Sequence, residues 1–206
     1  MTFKKFVMRY WSLLLLLVIA LSCSQKKNPL PGETSFQKKM NSDFKDASKS
    51  PLTEKDLKAF KGLDFFPFDS IYVVTGKLQR TPNSEWFKMK TNTERLSLER
   101  VYGVLSFELK GKPYRLKVYQ GQENMQQEGF EDYLFLPFLD DTNGSATYGG
   151  GRYIDLRIPE DSVLTLDFNT AYSPYCAYNE KFSCPIVPRE NYLDLEVRAG
   201  VKSFKN

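Results

Sequence analysis

The stretch VYGVLSFELKGKPYRLKV, residues 101–118, alternates apolar and polar side chains on both sides of a short turn. Alternation with a period of two is typical of half-buried strands. The centre, Lys110-Gly111-Lys112, is the point at which the chain must reverse, so the stretch predicts a β-hairpin. The side chains expected to share a face are Val101, Leu105, Phe107 and Leu109 in the first strand and Tyr114, Leu116 and Val118 in the second.

Further segments continue this pattern in both directions along the chain. Residues 153–158 and 163–168 flank a turn at residues 159–162, which predicts a second hairpin. Pro137 is expected to end its strand or to place it at a sheet edge, because proline has no N–H to donate. The other predicted strands span residues 71–78, 133–138 and 192–199. The fold class is therefore mainly β, an antiparallel barrel or sandwich of about seven or eight strands with short N-terminal helices.

Two helices are expected before the strands. Phe36, Met40 and Phe44 are spaced as on an amphipathic helix over residues 34–48. A second helix starts near Pro51 or with Thr53 as its cap, and Gly62 ends it.

The composition excludes several chemistries. The 206 residues suffice for one domain with its own core, and they contain no histidine. Nucleophiles activated by histidine and imidazole metal sites are therefore ruled out. Beyond residue 22 the chain has 26 basic and 25 acidic groups, because three of its 29 basic residues lie in the first 22, which hold no acid. This balance gives no electrostatic footprint for nucleic acid.

The N-terminus, MTFKKFVMRYWSLLLLLVIALSCSQKKN, has the features of an export signal. A basic region precedes an apolar stretch, residues 11–21, that is shorter than the roughly 20 residues a membrane span needs. It ends in Ala-Leu-Ser-Cys23, which resembles a bacterial lipobox, with Cys23 the lipidated residue. An ordinary cleaved signal with a chance cysteine is the alternative.

These features predict a domain order and a location. Residues 1–22 are the signal peptide, residues 23–50 a lipidated tether, and residues 51–206 a single β-rich domain. The lipid anchor implies a membrane partner and a place in the bacterial cell envelope. In a Gram-negative host, Ser24 after the cysteine favours the outer membrane, with the domain facing the periplasm.

Two long blocks resemble a bacterial family labelled domain of unknown function 1684. The first is LPFLDDTNGSATYGGGRYIDL, residues 136–156, and the second is LDFNTAYSPYCAY, from residue 166, followed by Ser183-Cys-Pro and Glu190-Asn191. With FKGLDFFP, residues 60–67, the resemblance covers about residues 50–206. Val201 stands where the family pattern leads us to expect an acid. The resemblance implies no activity, because none is known to us for the family.

The glycine-rich stretch before residue 153 is the first candidate binding element. Gly149, Gly150 and Gly151 let a backbone approach a ligand, and their N–H groups form a potential anion nest. Arg152 has the inward parity of its strand, and Asn191 has that of residues 193 and 195, so each needs a partner or a ligand. A flexible loop with a bulge is the alternative for the glycines.

Three polar residues lie on the opposite, outward parity. Asp155, Asp167 and Asn169 face solvent or face one another across the predicted hairpin. Two carboxylates on one face suit acid–base chemistry when their environments separate their pKa values. Surface ion pairs with Arg157 or Arg198 are the commoner explanation.

The loop between the last strands carries cysteines and tyrosines. In an oxidising compartment, Cys176 and Cys184 are expected to form a structural disulfide, with buried free thiols or a reactive pair as alternatives. Family members without export signals imply free thiols in those proteins. Tyr172 and Tyr175, with a third tyrosine at 178, form either an aromatic ligand platform or the closure of the core.

Three functions compete at this point. The first is a non-catalytic binding or accessory domain for a small polar or anionic ligand, gripped by Arg152 and the glycine and tyrosine loops. The second is a hydrolase or isomerase of an envelope metabolite with Asp155 or Asp167 as base, and the third is a purely structural envelope protein. No metal or other cofactor is expected, and the ligand, any catalytic residue, protein partners and oligomeric state stay open.

Overall fold

The computed structural model describes residues 34–204, which form one predominantly antiparallel sheet that curls into a half-barrel. Strands β6-β5-β4-β3-β1-β7 are hydrogen-bonded in that order, while β2 pairs with β3 and β8 pairs in parallel with β5. The mainly β class is confirmed. The strands are β1 (Val73–Arg80), β2 (Phe87–Lys90), β3 (Leu96–Leu109), β4 (Lys112–Gly121), β5 (Tyr133–Asp140), β6 (Arg152–Arg157), β7 (Val163–Asp167) and β8 (Tyr192–Leu193).

The predicted hairpin is present as β3 and β4. Lys110 and Gly111 both have positive φ, 52° and 75°, as in the two-residue turns that match the twist of paired strands. A bulge shifts the register between Val101 and Gly103. The extra residue turns Tyr102 into the main core and Val101 to the other face, so the prediction that Val101 shares a face with Leu105 is wrong.

The second predicted hairpin is wrong. β6 pairs with β5 and β7 pairs with β1, so these two strands occupy the two ends of the strand order. Ile158 N–H donates to the carbonyl of Asp132, and Leu78 N–H donates to the carbonyl of Ser162. The pairing of β6 with β5 therefore continues to the start of the connecting turn, and the pairing of β7 with β1 begins at its end. Residues 159–162 therefore bring the chain from one edge of the curled sheet to the other.

The strands bury side chains on both faces. In β5, Leu134, Leu136 and Phe138 enter the main core, whereas Phe135 faces the opposite way. The same alternation in β4 and β6 places Tyr119 and Tyr153 beside Phe135 in a smaller aromatic cluster. Two apolar layers therefore cover the sheet, and the smaller layer contributes to the candidate site.

Three α-helices flank the sheet in the described part of the chain: α1 (Ser35–Lys45), α2 (Glu54–Ala59) and α3 (Gln122–Met125). Thr34 caps α1 in a capping box with Gln37, and Thr53 caps α2, so both predicted helices are present. Phe44 is buried against Tyr178, so α1, which lies within the segment predicted as a tether (residues 23–50), packs on the sheet domain. None of the helices in residues 34–204 is long and apolar enough to span a bilayer.

The C-terminal segment keeps the predicted alternation but not the predicted strand. Leu193, Val197 and Ala199 are buried, yet only Tyr192 and Leu193 pair with another strand. Beyond them, the Leu195 carbonyl accepts from the Asp141 N–H, and other backbone groups bond to buried side chains. The Val197 N–H donates to Asp140, and the carbonyls of Val197 and Ala199 accept from Arg152.

Arg152 and Asp140 form a completely buried ion pair, with Nη2 2.7 Å from Oδ2. The other carboxylate oxygen of Asp140 accepts from the N–H and the hydroxyl of Thr142, at 2.8 and 2.5 Å. The pair thus joins β5, β6, the following turn and the C-terminal segment. Arg152 has the inward parity that the sequence predicts, and its partner is a side chain of the domain.

Asn191 fills a gap in the sheet that Pro137 creates. Pro137 lies opposite Lys117 but has no N–H for the ladder. The buried Asn191 amide accepts from the Lys117 N–H at 2.8 Å and donates to the carbonyls of Lys117 and Pro137, at 2.8 and 2.7 Å. The side chain takes the place of a peptide group between β4 and β5, which explains how Pro137 sits inside a strand.

Replacing Arg152 by leucine is expected to destabilise the protein by about 3–5 kcal/mol, because Asp140 then stays buried without a counter-charge. The matched control is Arg157→Leu in the same strand. Its ion pair with Asp132 is 2.6 Å long but half exposed, so about 1 kcal/mol or less is expected. Urea unfolding midpoints measure both changes, and equal midpoints for the two variants would contradict this role for Arg152.

Candidate functional site

A cavity of about 690 Å³ opens between α1, β6 and the loop that follows β7. Helix α1 supplies one wall, and the loop with its tyrosines and cysteines supplies the other. Most of the surface is apolar or aromatic, with a few polar groups. The residues that line it are Phe36, Lys39, Met40, Asp43, Phe44, Tyr153, Asp155, Thr170, Tyr172, Pro174, Tyr175, Phe182, Ser183, Cys184 and Pro185.

Asp155 is the centre of the polar groups in this cavity. Its Oδ1 accepts hydrogen bonds from the hydroxyls of Tyr133, at 2.8 Å, and Tyr172, at 2.5 Å. Burial, reinforced by the nearby carboxylate, raises the pKa of both tyrosines well above 10.0, so their hydroxyls remain donors. Asp155 is exposed, and within residues 34–204 its Oδ2 accepts no hydrogen bond, so this oxygen is accessible to solvent or to a donor.

The backbone positions the aromatic wall. Tyr172 pairs with Tyr153 through two hydrogen bonds, 2.9 and 3.0 Å, that extend the pairing of β6. The Tyr153 hydroxyl donates to the carbonyl of Pro185. Ile186 N–H donates to the carbonyl of Lys90 at 2.8 Å. The loop is therefore joined to two strands, and its tyrosines are held at the cavity.

A second cavity, of about 220 Å³, adjoins the first and shares Tyr153, Tyr172 and Pro185 with it. Its polar lining includes Arg95, Ser97, Glu99 and Glu123. Glu99 is only 4% exposed and accepts a 2.6 Å hydrogen bond from the Ser97 hydroxyl on Oε1. Its Oε2 is buried and has no partner among the described residues. Burial raises the pKa of Glu99, and Glu123 adds to the effect.

Both loop cysteines are free thiols, so the structural disulfide expected from the sequence is not formed in this structure. They are nevertheless adjacent, because the Cys176 N–H lies 3.2 Å from Cys184 Sγ. Hydrogen bonds from the Cys184 thiol and the Tyr148 hydroxyl lower the pKa of Cys176 to about 7. The hydrogen bond with Cys176, together with burial, raises the pKa of Cys184, which lines the large cavity.

Three of the predicted ligand-binding residues lie together. Asp155, Tyr172 and Tyr175 line the large cavity, whereas Arg152 is enclosed by its pair with Asp140. The expected surface ion pairs of Asp155 are not formed, because Arg157 pairs with Asp132 and Arg198 with Glu196. Cys23, the predicted lipidation site, lies outside the described residues.

The other predicted polar residues bind the backbone. Asp167 accepts from the Asn169 N–H and side-chain amide, both at 2.8 Å. That amide also donates to the carbonyl of Asp69 at 3.0 Å, and Asn191 bridges two strands. Asp167 and Asp155 lie on strands at opposite ends of the strand order, so the two carboxylates do not form a pair.

The glycine loop is closed on itself. The Gly151 N–H donates to the carbonyl of Tyr148, and Thr142 and Thr147 share a 2.8 Å hydrogen bond inside the loop. Gly151 has φ +91°, and a Cβ there would lie 2.7 Å from the Phe138 carbonyl. The conformation of Gly151 and this close packing both require glycine. Gly149 and Gly150, the other predicted glycines of the binding loop, line neither cavity.

Tyr133, Glu99 and helix α1 are parts of the site that the sequence pattern did not predict. The apolar spacing of Phe36, Met40 and Phe44 showed an amphipathic helix but not the surface it contacts. Glu99 lies in the first part of β3, which the sequence did not mark as a strand. Its burial in the smaller cavity was therefore not predicted.

Comparison with known proteins assigns the chain to a family. Residues 58–202 match the model of the family described as Protein of unknown function (DUF1684), and the chain belongs to it. The solution NMR structure of an uncharacterised protein from gene locus rrnAC0354 of Haloarcula marismortui is 33% identical, with a TM-score of 0.64. The match covers 81% of this chain and 89% of that one. Among curated proteins, none matches.

Cys176 of the reduced protein is expected to react with iodoacetamide faster than Cys184, because the thiolate is the nucleophile and only Cys176 has a lowered pKa. Its alkylation rate, followed by peptide mass spectrometry, should rise with pH around a midpoint near 7. In Cys184→Ala the hydrogen-bond donor is absent, and the midpoint should move up towards the ordinary 9.0. A midpoint unchanged by that substitution would refute the explanation.

Proposed function

We propose that this domain is a non-catalytic binding module for a small ligand with an aromatic or apolar body and a hydrogen-bond donor. The observation that carries the proposal is the free Oδ2 of Asp155 on the aromatic wall of the large cavity. Volumes of roughly 300–1,000 Å³ are usual for small-molecule sites, and such sites combine apolar walls with a few fixed polar groups. The 690 Å³ cavity has both properties.

The charge of the cavity favours a donor over an anion. Its lining contains one cation, Lys39, and two carboxylates, Asp43 and Asp155. Lys39 is already paired with Asp43 at 2.6 Å. The expectation of an anionic ligand rested on Arg152 and the glycine loop, and neither lines this cavity. A ligand that donates to Asp155 suits the residues that do.

Binding suits the arrangement better than the hydrolase or isomerase alternative. That alternative named Asp155 or Asp167 as the base, with acid–base chemistry between two carboxylates on one face. Asp167 is engaged with Asn169 at the other end of the strand order. Asp155 is held by two tyrosines that stay protonated, which is an arrangement that fixes an acceptor.

We further propose that the domain is a lipoprotein of the bacterial cell envelope, anchored through Cys23 to the outer membrane and facing the periplasm. The lipobox-like Ala-Leu-Ser-Cys23 after an apolar stretch supports this. In that oxidising compartment, a disulfide donor would accept the two electrons of the Cys176 and Cys184 thiols, and a Cys176–Cys184 disulfide would form. The adjacency of the two residues supports this step.

The binding proposal predicts that 2-phenylethanol, a neutral aromatic alcohol, binds the protein and that Asp155→Asn weakens its affinity by about tenfold. The substitution keeps an acceptor for the tyrosines but removes the charged oxygen that accepts from the ligand. Isothermal titration at millimolar alcohol measures the affinities. The control is Asp161→Asn, at an exposed aspartate away from both cavities, and it should bind as the wild type does. Absence of binding, or equal affinity for both variants, would contradict the proposal.

The anchor proposal predicts that the full chain, expressed in a bacterium that processes lipoproteins, incorporates labelled palmitate and sediments with membranes. Cys23→Ser should lose the label, because the thiol that receives the diacylglycerol group is absent. Cys176→Ser is the control and should keep the label. Label retained in Cys23→Ser would rule out this anchor.

A further inference from the structure

In the smaller cavity, only one of the two carboxylate oxygens of Glu99 has a hydrogen-bond partner among the described residues. Ser97 donates to Oε1 of Glu99, while Oε2 is buried without a partner among the described residues. An unpaired buried acceptor is costly, and a carboxylate more so, since the protein does not replace the hydrogen bonds of water. A site for a donor that comes from outside the domain explains such a group.

The surroundings of Glu99 suit a cation. Tyr133, Phe135, Tyr153 and Tyr172 line the same cavity, and the faces of aromatic rings attract ammonium groups. A carboxylate among aromatic rings supplies both a counter-charge and a site for the apolar part next to the charge.

Arg95, the cationic side chain that lines this cavity, binds other groups than Glu99. Arg95 Nη1 lies 3.6 Å from Glu123, and its Nε and Nη2 donate to the hydroxyl and the carbonyl of Ser183, at 3.1 and 3.3 Å. No hydrogen bond or ion pair joins Arg95 to Glu99 in the described chain. Glu99 therefore keeps its capacity for an incoming group.

We propose that the smaller cavity is a subsite for an alkylammonium group, which Glu99 binds, while the aromatic or apolar body of the same ligand lies in the large cavity. Tyr153, Tyr172 and Pro185 line both cavities, so the two parts of the ligand would lie against the same side chains. The inference rests on the proposed function and names its ligand class, an amine with an aromatic or apolar body. Gly121 supports it, since a Cβ there would lie 3.0 and 3.1 Å from the two oxygens of Glu99.

The test compares three probes of similar shape on the full-length protein: phenethylamine, 2-phenylethanol and phenylacetate. By titration calorimetry, the amine should bind wild type at least about tenfold more tightly than the alcohol, and phenylacetate most weakly. Glu99→Gln should reduce the affinity for the amine to that for the alcohol and leave the alcohol unchanged. The control is Glu108→Gln, at an exposed position of the same strand, which should keep the preference for the amine.

A second variant tests the space beside the Glu99 carboxylate rather than its charge. Gly121→Ala places a methyl group against the carboxylate and should weaken amine binding, with no change for the alcohol. The melting temperature of Glu99→Gln at neutral pH should be at or above that of wild type, because the variant removes a buried charge without a counter-ion. A lower melting temperature together with retained amine preference would identify a purely structural glutamate.

The outcomes separate the two proposals. Equal binding of amine and alcohol by wild type, with the alcohol still dependent on Asp155, would overturn the ammonium subsite and leave the proposed function intact. An amine preference that persists in Glu99→Gln but disappears in Asp155→Asn would assign the cation to Asp155 and also overturn the subsite. Failure of all three probes to bind would overturn the proposed function and the subsite with it.

Discussion

The buried ion pair of Arg152 and Asp140 fixes the part of the fold that backbone pairing leaves open. The last segment of the chain has apolar side chains that alternate as in a strand, but only two of its residues have strand partners. The backbone polar groups of its buried residues must be satisfied within the protein. Arg152 and Asp140 bond to the carbonyls and the N–H of this segment, so a charged pair takes the place of a sheet edge. The main core depends on this closure, since Val197 and Ala199 belong to it.

That constraint also explains why the site lies on the other face. Arg152 and Ile154 point into the core, and the alternation of the strand turns Tyr153 and Asp155 the opposite way. One strand therefore supplies both the ion pair that closes the core and the carboxylate of the large cavity. Backbone hydrogen bonds join the loop that carries Tyr172 to this strand, so the strand also positions the aromatic wall of the cavity.

Local patterns predicted the elements better than their partners. The alternation in residues 101–118 and the cap at Thr53 depend on neighbours in sequence, and both are found. The parity of Arg152 was predicted correctly, but its partner Asp140 belongs to another strand, and nothing in the sequence joins the two. The bulge at Tyr102 reverses the face of the sheet to which the preceding residues of β3 point, and Glu99 is one of those residues. For this reason the charged groups of the smaller cavity could not be derived from the alternation alone.

The two buried acids differ in how completely the described residues satisfy their oxygens. Asp140 has both oxygens satisfied by an arginine, a threonine and a backbone N–H, as a group that serves folding requires. Glu99 is buried to a similar degree, yet one oxygen has no partner among the described residues, and its pKa is raised by that burial. Folding alone would favour an apolar or amide side chain at this position. A carboxylate that costs stability in a cavity lined by aromatic rings agrees with the proposal that a ligand completes its hydrogen bonds.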